Sequence, residues 1–479
     1  MRDGDTYLAG LRARPRRVWL HGDPVGDVTV DPALAGPATR IAELYAGQHL
    51  PEQRELLVGT ADGAEVPRAL TVPRSRHDLR LRAEAFRARA EPQFGLLGRA
   101  PDFAGTALAA LAAAPRLFSE MGPRFVENIE RYVAWVRAED PYVVPAITAP
   151  QIDRSPDGAG TGAVTVVAEN ADGLIVRGAK MICTSAPIAD EILVYNPPVL
   201  RPGDEPLAAV FAVPVDAPGL RMICRPPLHG PGTDPEEHPL AARFEEVDAL
   251  LVFDDVLVPW DRVFLHGSVD LSNALHRRTC MPLLVGQQAG IRALVKLELL
   301  TGVAVAVARA VRADAYLHVQ SRLGQAVAGL EQARALLATA EVEHGTSPEG
   351  VVFPGAAQMG ALRVLLARQY RETAETVRAI GGSGLVMRPS LRDAVQERAG
   401  DLAAFLPGAG GLAADDRIRL FNLAWDLVGD GFGQRAELFE CFGGGDPLRV
   451  SAGGYLAADR TALLASVDRA VRPPTPVRA

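Results

Sequence analysis

The residues of this chain best suited to chemistry start with Arg99, in the run GRAPDF from Gly98 to Phe103. A guanidinium carries fixed positive charge and several donors in a rigid fork, which suits stabilising a peroxide anion, a phenolate or a carboxylate. Phe103, four residues on, supplies an aromatic wall and no polar handle. The same run also suits a plain helix connector, since Pro101 resists helix continuation and Asp102 is a good cap.

Three further stretches carry groups of the right kind. PAITAPQIDRSP, from Pro145 to Pro156, brings Gln151, Ile152, Asp153 and Arg154 together, where amide and guanidinium can meet the polar edge of a bound group or close a surface turn with a salt bridge. Pro145 has no side-chain donor and no titratable group, so no general base acts from it. In GAKMICTSAPIADEILVY, read as strand, turn, strand, the hydroxyl of Thr184 serves a ligand or satisfies the turn with Ser185. Near the C-terminus, Gly444, Gly445, Asp446 and Pro447 form a turn whose bare backbone N–H groups can approach a ligand, or a simple loop.

Elements must hold these groups in place. Apolar residues recur at helical spacing from Ala38 to about Asp140, as in Phe125, Ile129, Tyr132 and Val136. Between about Pro141 and Phe264 the texture changes to short β-branched runs broken by turns, including AVTVVAEN, LAAVFAVPV and ALLVFDDVLVP. Helical spacing returns after Asn273, with Ile291, Leu294, Val295 and Leu299 on one face. This α+β order divides the chain into an N-terminal helical domain (1–140), a central β domain (141–270) and a C-terminal helical bundle (271–479). Stretches rich in Pro and Gly at Pro197–Pro206 and Pro226–Pro239 read as loops, one of them a candidate lid, and the tail RPPTPVRA reads as frayed.

Composition excludes several functions. A net charge of -8 with both signs interspersed argues against a nucleic-acid partner. Four scattered cysteines, Cys183, Cys224, Cys280 and Cys441, give neither a zinc knuckle nor a disulfide framework, and reduced thiols in the cytoplasm are expected. His229, His238, His266 and His276 lie near loops or element ends with no metal-ligand spacing, so no metal is expected and solvent-facing rings are. The N-terminus has no apolar signal core, and the apolar stretch Leu283–Val311 is interrupted by Arg292, Lys296, Glu298 and Arg309, which excludes a membrane span.

Taken together, FGLLGRAPDF, APQIDR and AWDLVGDGFGQRAELFECFGGGDPLR make the chain resemble the large oxygenase component of the 4-hydroxyphenylacetate 3-monooxygenase family. The resemblance runs from YLAGL near the start to GGGDPLR and implies an acyl-CoA dehydrogenase-like fold with a central β-barrel-like domain. It further implies a two-component FAD-dependent monooxygenase that takes reduced FAD from a separate flavin reductase, forms a flavin hydroperoxide with molecular oxygen and assembles as a tetramer or dimer. Lack of a G-x-G-x-x-G unit opening the chain agrees with an external source of electrons.

The resemblance places Arg99 as the catalytic residue, with Phe103 and Pro145 lining the substrate where the family carries tyrosine and histidine. Gln151, Ile152, Asp153, Arg154, Thr184 and the turn Gly444, Gly445, Asp446 and Pro447 fall at the flavin. The two lost polar groups imply an aromatic or polyketide-like intermediate of specialised metabolism as substrate. A flavin-dependent dehydrogenase or oxidase on the same scaffold, and a non-redox cyclising or binding protein, remain as alternatives.

Overall fold

The computed structural model describes residues 1–153, 155, 160–196, 200–394, 396 and 399–471. Arg154, Pro197 to Val199 and the tail from Arg472 therefore lie outside the described residues.

Helices Ala35–Gly47, Arg76–Ala90, Pro101–Ala112 and Pro123–Glu139 form the first region. The helix that carries Phe103 begins at Pro101, whose missing N–H costs nothing at a first turn. Asp102 is not its cap, because Ala100 holds that position; Asp102 is buried inside the first turn and accepts from Gln288 Nε2 at 3.3 Å. Almost every residue after it is small or apolar and buried, which lets the helix pass through the middle of the molecule.

Two sheets follow, facing each other. The six-stranded sheet runs Asp23–Val25, Val18–Leu20, Leu220–Cys224, Asp248–Pro259, Gly173–Thr184 and Thr165–Glu169. The four-stranded sheet runs Val263–His266, Ala209–Pro214, Glu191–Val194 and Val143–Ala146. Phe211 from one and Phe253 from the other meet edge to face at 6.4 Å, within one continuous apolar core. Among the described residues neither sheet closes, so the β unit is a pair of open sheets and not a closed barrel. Pro145 lies on an edge strand of the smaller sheet, where a proline costs no ladder hydrogen bond.

The bundle comprises Met281–Ala310, Leu317–Val342, Ala356–Gly381, Ala414–Val428 and Gly431–Phe442. Arg292 and Lys296, which exclude Met281–Ala310 from a membrane, are buried and share Glu440 at 2.8 and 2.7 Å. Among the described residues no helix is long and apolar enough to cross a bilayer. At its C-terminus Ala356–Gly381 closes on Gly382 at φ +49°, a glycine helix cap.

Candidate functional site

Arg99 lies where all three regions meet. Its guanidinium stacks 4.3 Å over the Phe103 ring and 5.1 Å from that of Phe439, on helix Gly431–Phe442. Gly98 permits this approach: a Cβ there would fall 2.4 Å from Phe439 Cζ. The backbone is fixed as tightly, since Glu246 Oε1 accepts from the N–H of Gly98 at 2.7 Å and of Arg99 at 3.1 Å. Tyr142, just ahead of the Pro145 strand, donates its hydroxyl to the Arg99 carbonyl at 2.6 Å.

The charge balance around Arg99 is informative. Arg435 donates to both Asp248 oxygens at 2.6 and 2.7 Å and to Glu246 at 3.0 Å; Arg225 donates to Asp248 at 2.9 Å; Arg292 is held by Glu440. Arg99 alone of these four guanidiniums has no carboxylate partner among the described residues, and its NH1 donates only to the Gly98 carbonyl at 3.1 Å. Burial lowers its pKa, opposed chiefly by the charge of Glu246, and it stays a cation with spare donors.

Thr184 closes the same network from the other side. Its hydroxyl donates to Asp248 Oδ1 at 2.7 Å and the residue is buried, so its donor is already engaged. Burial pushes the Asp248 carboxyl up, but hydrogen bonds and charge from Arg435, then from Thr184 and Arg225, hold it well below the usual carboxylate range. Cys183, one residue earlier, is pushed up to about 12 by burial, which makes it an inert core thiol.

Lys180 organises the segment before Gln151. Fully buried, it donates to the Ile147 carbonyl at 2.9 Å, the Tyr195 carbonyl at 3.3 Å and Asn196 Oδ1 at 2.6 Å, and burial lowers it to about 8. Met181 N–H donates to the Thr148 carbonyl at 2.9 Å. Gln151, Ile152 and Asp153 thereby emerge as an exposed loop, in which Asp153 accepts from the Ser155 N–H at 2.8 Å.

The glycine turn is also on the surface. Gly445, at φ +111°, and Gly444 lie against Arg363, which would sit 2.7 and 3.3 Å from Cβ atoms added to them. Asp446 caps helix Pro447–Ala457 by accepting from the Arg449 N–H at 3.0 Å. Arg363 has no ion-pair partner among the described residues and faces His276, whose pKa falls first through burial and then through that charge. The His276 ring is 6.0 Å from Tyr195, and its buried Nδ1 has no hydrogen-bond partner among the described residues.

Sequence reasoning missed Glu246, Arg435, Tyr142, Lys180 and Phe439. Each acts through a partner more than ten residues away, so no local spacing betrays it. The four histidines do not face solvent either: the side chains of His229, His238 and His266 are 13, 27 and 16% exposed, and His276 is half-buried. Pro226–Pro239 is no free lid. Glu245 accepts from the Leu228 N–H at 2.5 Å, and Glu237 accepts from Ser390 at 2.7 Å and from the Leu391 N–H at 2.8 Å.

A central Pro101 helix, two open sheets and a helical bundle holding an uncompensated arginine between aromatic rings define a known class of protein. The family described as 4-hydroxyphenylacetate 3-hydroxylase, N terminal, matches residues 3–265, and its C-terminal counterpart matches residues 272–472. A Thermus thermophilus protein named 4-hydroxyphenylacetate 3-monooxygenase oxygenase component is 37% identical over 94% of this chain and 93% of its own. A Streptomyces globisporus monooxygenase named for a carrier-protein-bound 3-amino-3-(3-chloro-4-hydroxyphenyl)propanoyl group is 31% identical over 91% of this chain and 84% of its own. The crystal structure of the HpaB oxygenase component complexed with FAD and 4-hydroxyphenylacetate superposes with a TM-score of 0.92, at 35% identity and 98% coverage of both chains. The chain belongs to the 4-hydroxyphenylacetate 3-hydroxylase family, and it is an FAD-dependent monooxygenase of the two-component, oxygenase kind.

Proposed function

We propose that this enzyme oxygenates an aromatic or polyketide-like intermediate of specialised metabolism that presents an anionic or strongly accepting oxygen to Arg99. The observation that carries this reading is the guanidinium between Phe103 and Phe439 that has no carboxylate partner among the described residues, in a site where Arg225, Arg292 and Arg435 are all neutralised. An arginine kept without a counter-ion in such a place is an anion receptor, and its aromatic walls suit a flat substrate. Phe103 and Pro145 provide shape and no proton transfer, which favours a substrate other than simple 4-hydroxyphenylacetate.

The residues present fit FAD. Arg363, without a carboxylate partner among the described residues and beside the bare backbone of Gly444 and Gly445, suits a diphosphate, with Asp446 and Pro447 fixing the turn. The exposed Gln151, Ile152 and Asp153 offer amide and backbone groups to the cofactor's polar edge. Thr184, with its proton given to Asp248, has only its acceptor lone pairs left, which match a donor such as the N–H of a reduced flavin ring. When bound, reduced FAD from a separate flavin reductase supplies the electrons that activate molecular oxygen. His276, its ring 6.0 Å from that of Tyr195, is a candidate to replace the base absent at Pro145: it is half-buried, burial lowers its pKa, and its Nδ1 has no hydrogen-bond partner among the described residues.

Assembly as a homo-oligomer in the cytoplasm completes the reading. The last two helices, Pro447–Ala457 and Thr461–Val471, bury no residue and expose Leu448, Leu456, Leu463, Leu464 and Val467, an apolar surface suited to a second copy of the chain. Substitution of Arg99 by Lys tests the site, because it keeps charge and removes the planar fork. With reduced FAD and acidic phenols, among them 4-hydroxyphenylacetate as a probe, Arg99→Lys is expected to lose oxygen-linked product while still binding reduced FAD. Unchanged turnover would refute the assignment.

A further inference from the structure

Four side chains converge that the oxygenase reading does not use. His229 and His238 lie on the loop 226–239, Asp426 near the end of helix Ala414–Val428, and Asp430 at the N-cap of helix Gly431–Phe442. His229 Nε2 is 3.1 Å from Asp430 Oδ2, His238 Nδ1 is 3.6 Å from the same oxygen, and His238 Nδ1 is 2.9 Å from Asp426 Oδ1. The ligand atoms of His229, His238 and Asp430 all lie within 4.8 Å of one another. Ligands about 2.1 Å from a tetrahedral zinc ion are roughly 3.4 Å apart, so these spacings need little adjustment.

A second observation points to a shared ion. His229 Nε2 and Asp430 Oδ2 are both buried and lie 3.1 Å apart, yet neither makes a hydrogen bond among the described residues. A 3.1 Å contact that makes no hydrogen bond leaves both atoms available to a cation between them. Side-chain exposures of 13% for His229 and 10% for Asp430 remove most of the water that would otherwise satisfy them. Two imidazole nitrogens in the set select a borderline transition metal over calcium or magnesium.

We propose that His229, His238 and Asp430 bind one divalent transition-metal ion of the zinc type, with Asp426 Oδ1 as fourth ligand. In the metal-free protein His238 Nδ1–H donates to Asp426 Oδ1. Metal binding at that nitrogen releases its proton to solvent, while Asp426 Oδ2 keeps accepting from the N–H groups of Leu240 and Ala241 at 2.8 and 2.9 Å. The ion would clasp the loop to the bundle five residues before Arg435, stiffening the helix that supports the Arg99 network. This role is structural and does not rest on the flavin chemistry.

The test uses untagged, chelator-treated full-length protein dialysed against zinc, with bound metal counted by mass spectrometry and cobalt as a spectroscopic substitute. One zinc per chain, tetrahedral cobalt bands in the visible and a zinc-dependent rise in melting temperature are expected. His229→Ala leaves the His238–Asp426 hydrogen bond intact, and Asp430→Asn preserves helix capping. Each is expected to weaken zinc binding by about a hundredfold or more, beyond the loss typical of an outer-shell partner. His318→Ala, at an exposed site, is expected to change nothing. Absence of stoichiometric metal in the wild-type protein, or zinc binding that survives both ligand substitutions, would overturn the proposal.

Discussion

Arg435 is the member of the site network whose loss has the most calculable effect. It holds two carboxylates at once, the partly buried Asp248 through both oxygens and the buried Glu246 through one, and the Glu246 side chain is only 3% exposed. Breaking a buried pair by removing one partner costs about 3–5 kcal/mol, because a charge is left desolvated. Arg225 still reaches Asp248 in an Arg435→Ala variant, and the Gly98 and Arg99 N–H groups still reach Glu246, so the lower end, about 3 kcal/mol, is expected. The pH dependence has a definite sign. Asp248 is held well below its ordinary value of 3.8, so its contribution is fully present above that pH and is lost as pH falls further through its native pKa. The deficit of Arg435→Ala should therefore be constant from neutral pH to about 5 and shrink below about 4. Denaturant midpoints of both proteins across this range measure it, with Glu246→Gln closing a double-mutant cycle. A deficit under about 1 kcal/mol, or one that persists unchanged in acid, would refute the claim that this network holds the site together.

Two other substitutions probe the same frame. Gly98→Ala drives a methyl into the Phe439 ring and should cost about 1–3 kcal/mol, with a larger loss of turnover than of reduced-FAD affinity; calorimetry and binding titrations separate the two. His276→Gln should abolish any acidic limb in the pH profile of kcat/KM below the ordinary histidine range, because burial and then Arg363 lower that pKa; a profile identical to wild type would exclude His276 as the base.

Much of the fold was legible because its signals are local. Phe125, Ile129, Tyr132 and Val136 share a helix, and the β-branched runs fall on strands, since burial follows periodicity. What the sequence hid is what the tertiary structure supplies. Val18–Leu20 joins the larger sheet by pairing with Leu220–Cys224, about two hundred residues away. Asp102 resembles a cap, but a buried place in the first turn of its helix overrides that preference. Arg99 could be singled out by residue type and resemblance, whereas its lack of a carboxylate partner among the described residues follows from Glu246, Asp248 and Glu440 pairing with Arg435 and Arg292 instead. His229 and His238 show no ligand spacing in sequence because the third group, Asp430, arrives from the bundle.

The most direct test of the central claim is rapid-quench measurement of oxygen-18 transferred from labelled dioxygen to an acidic phenol, with reduced FAD in excess, by the wild-type enzyme and by Arg99→Ala. Incorporation of one labelled atom per product by the wild type, and a rate at least about a hundredfold lower in the variant with reduced FAD still bound, is predicted. Equal rates in the two proteins, or wild-type product that carries no label, would contradict it.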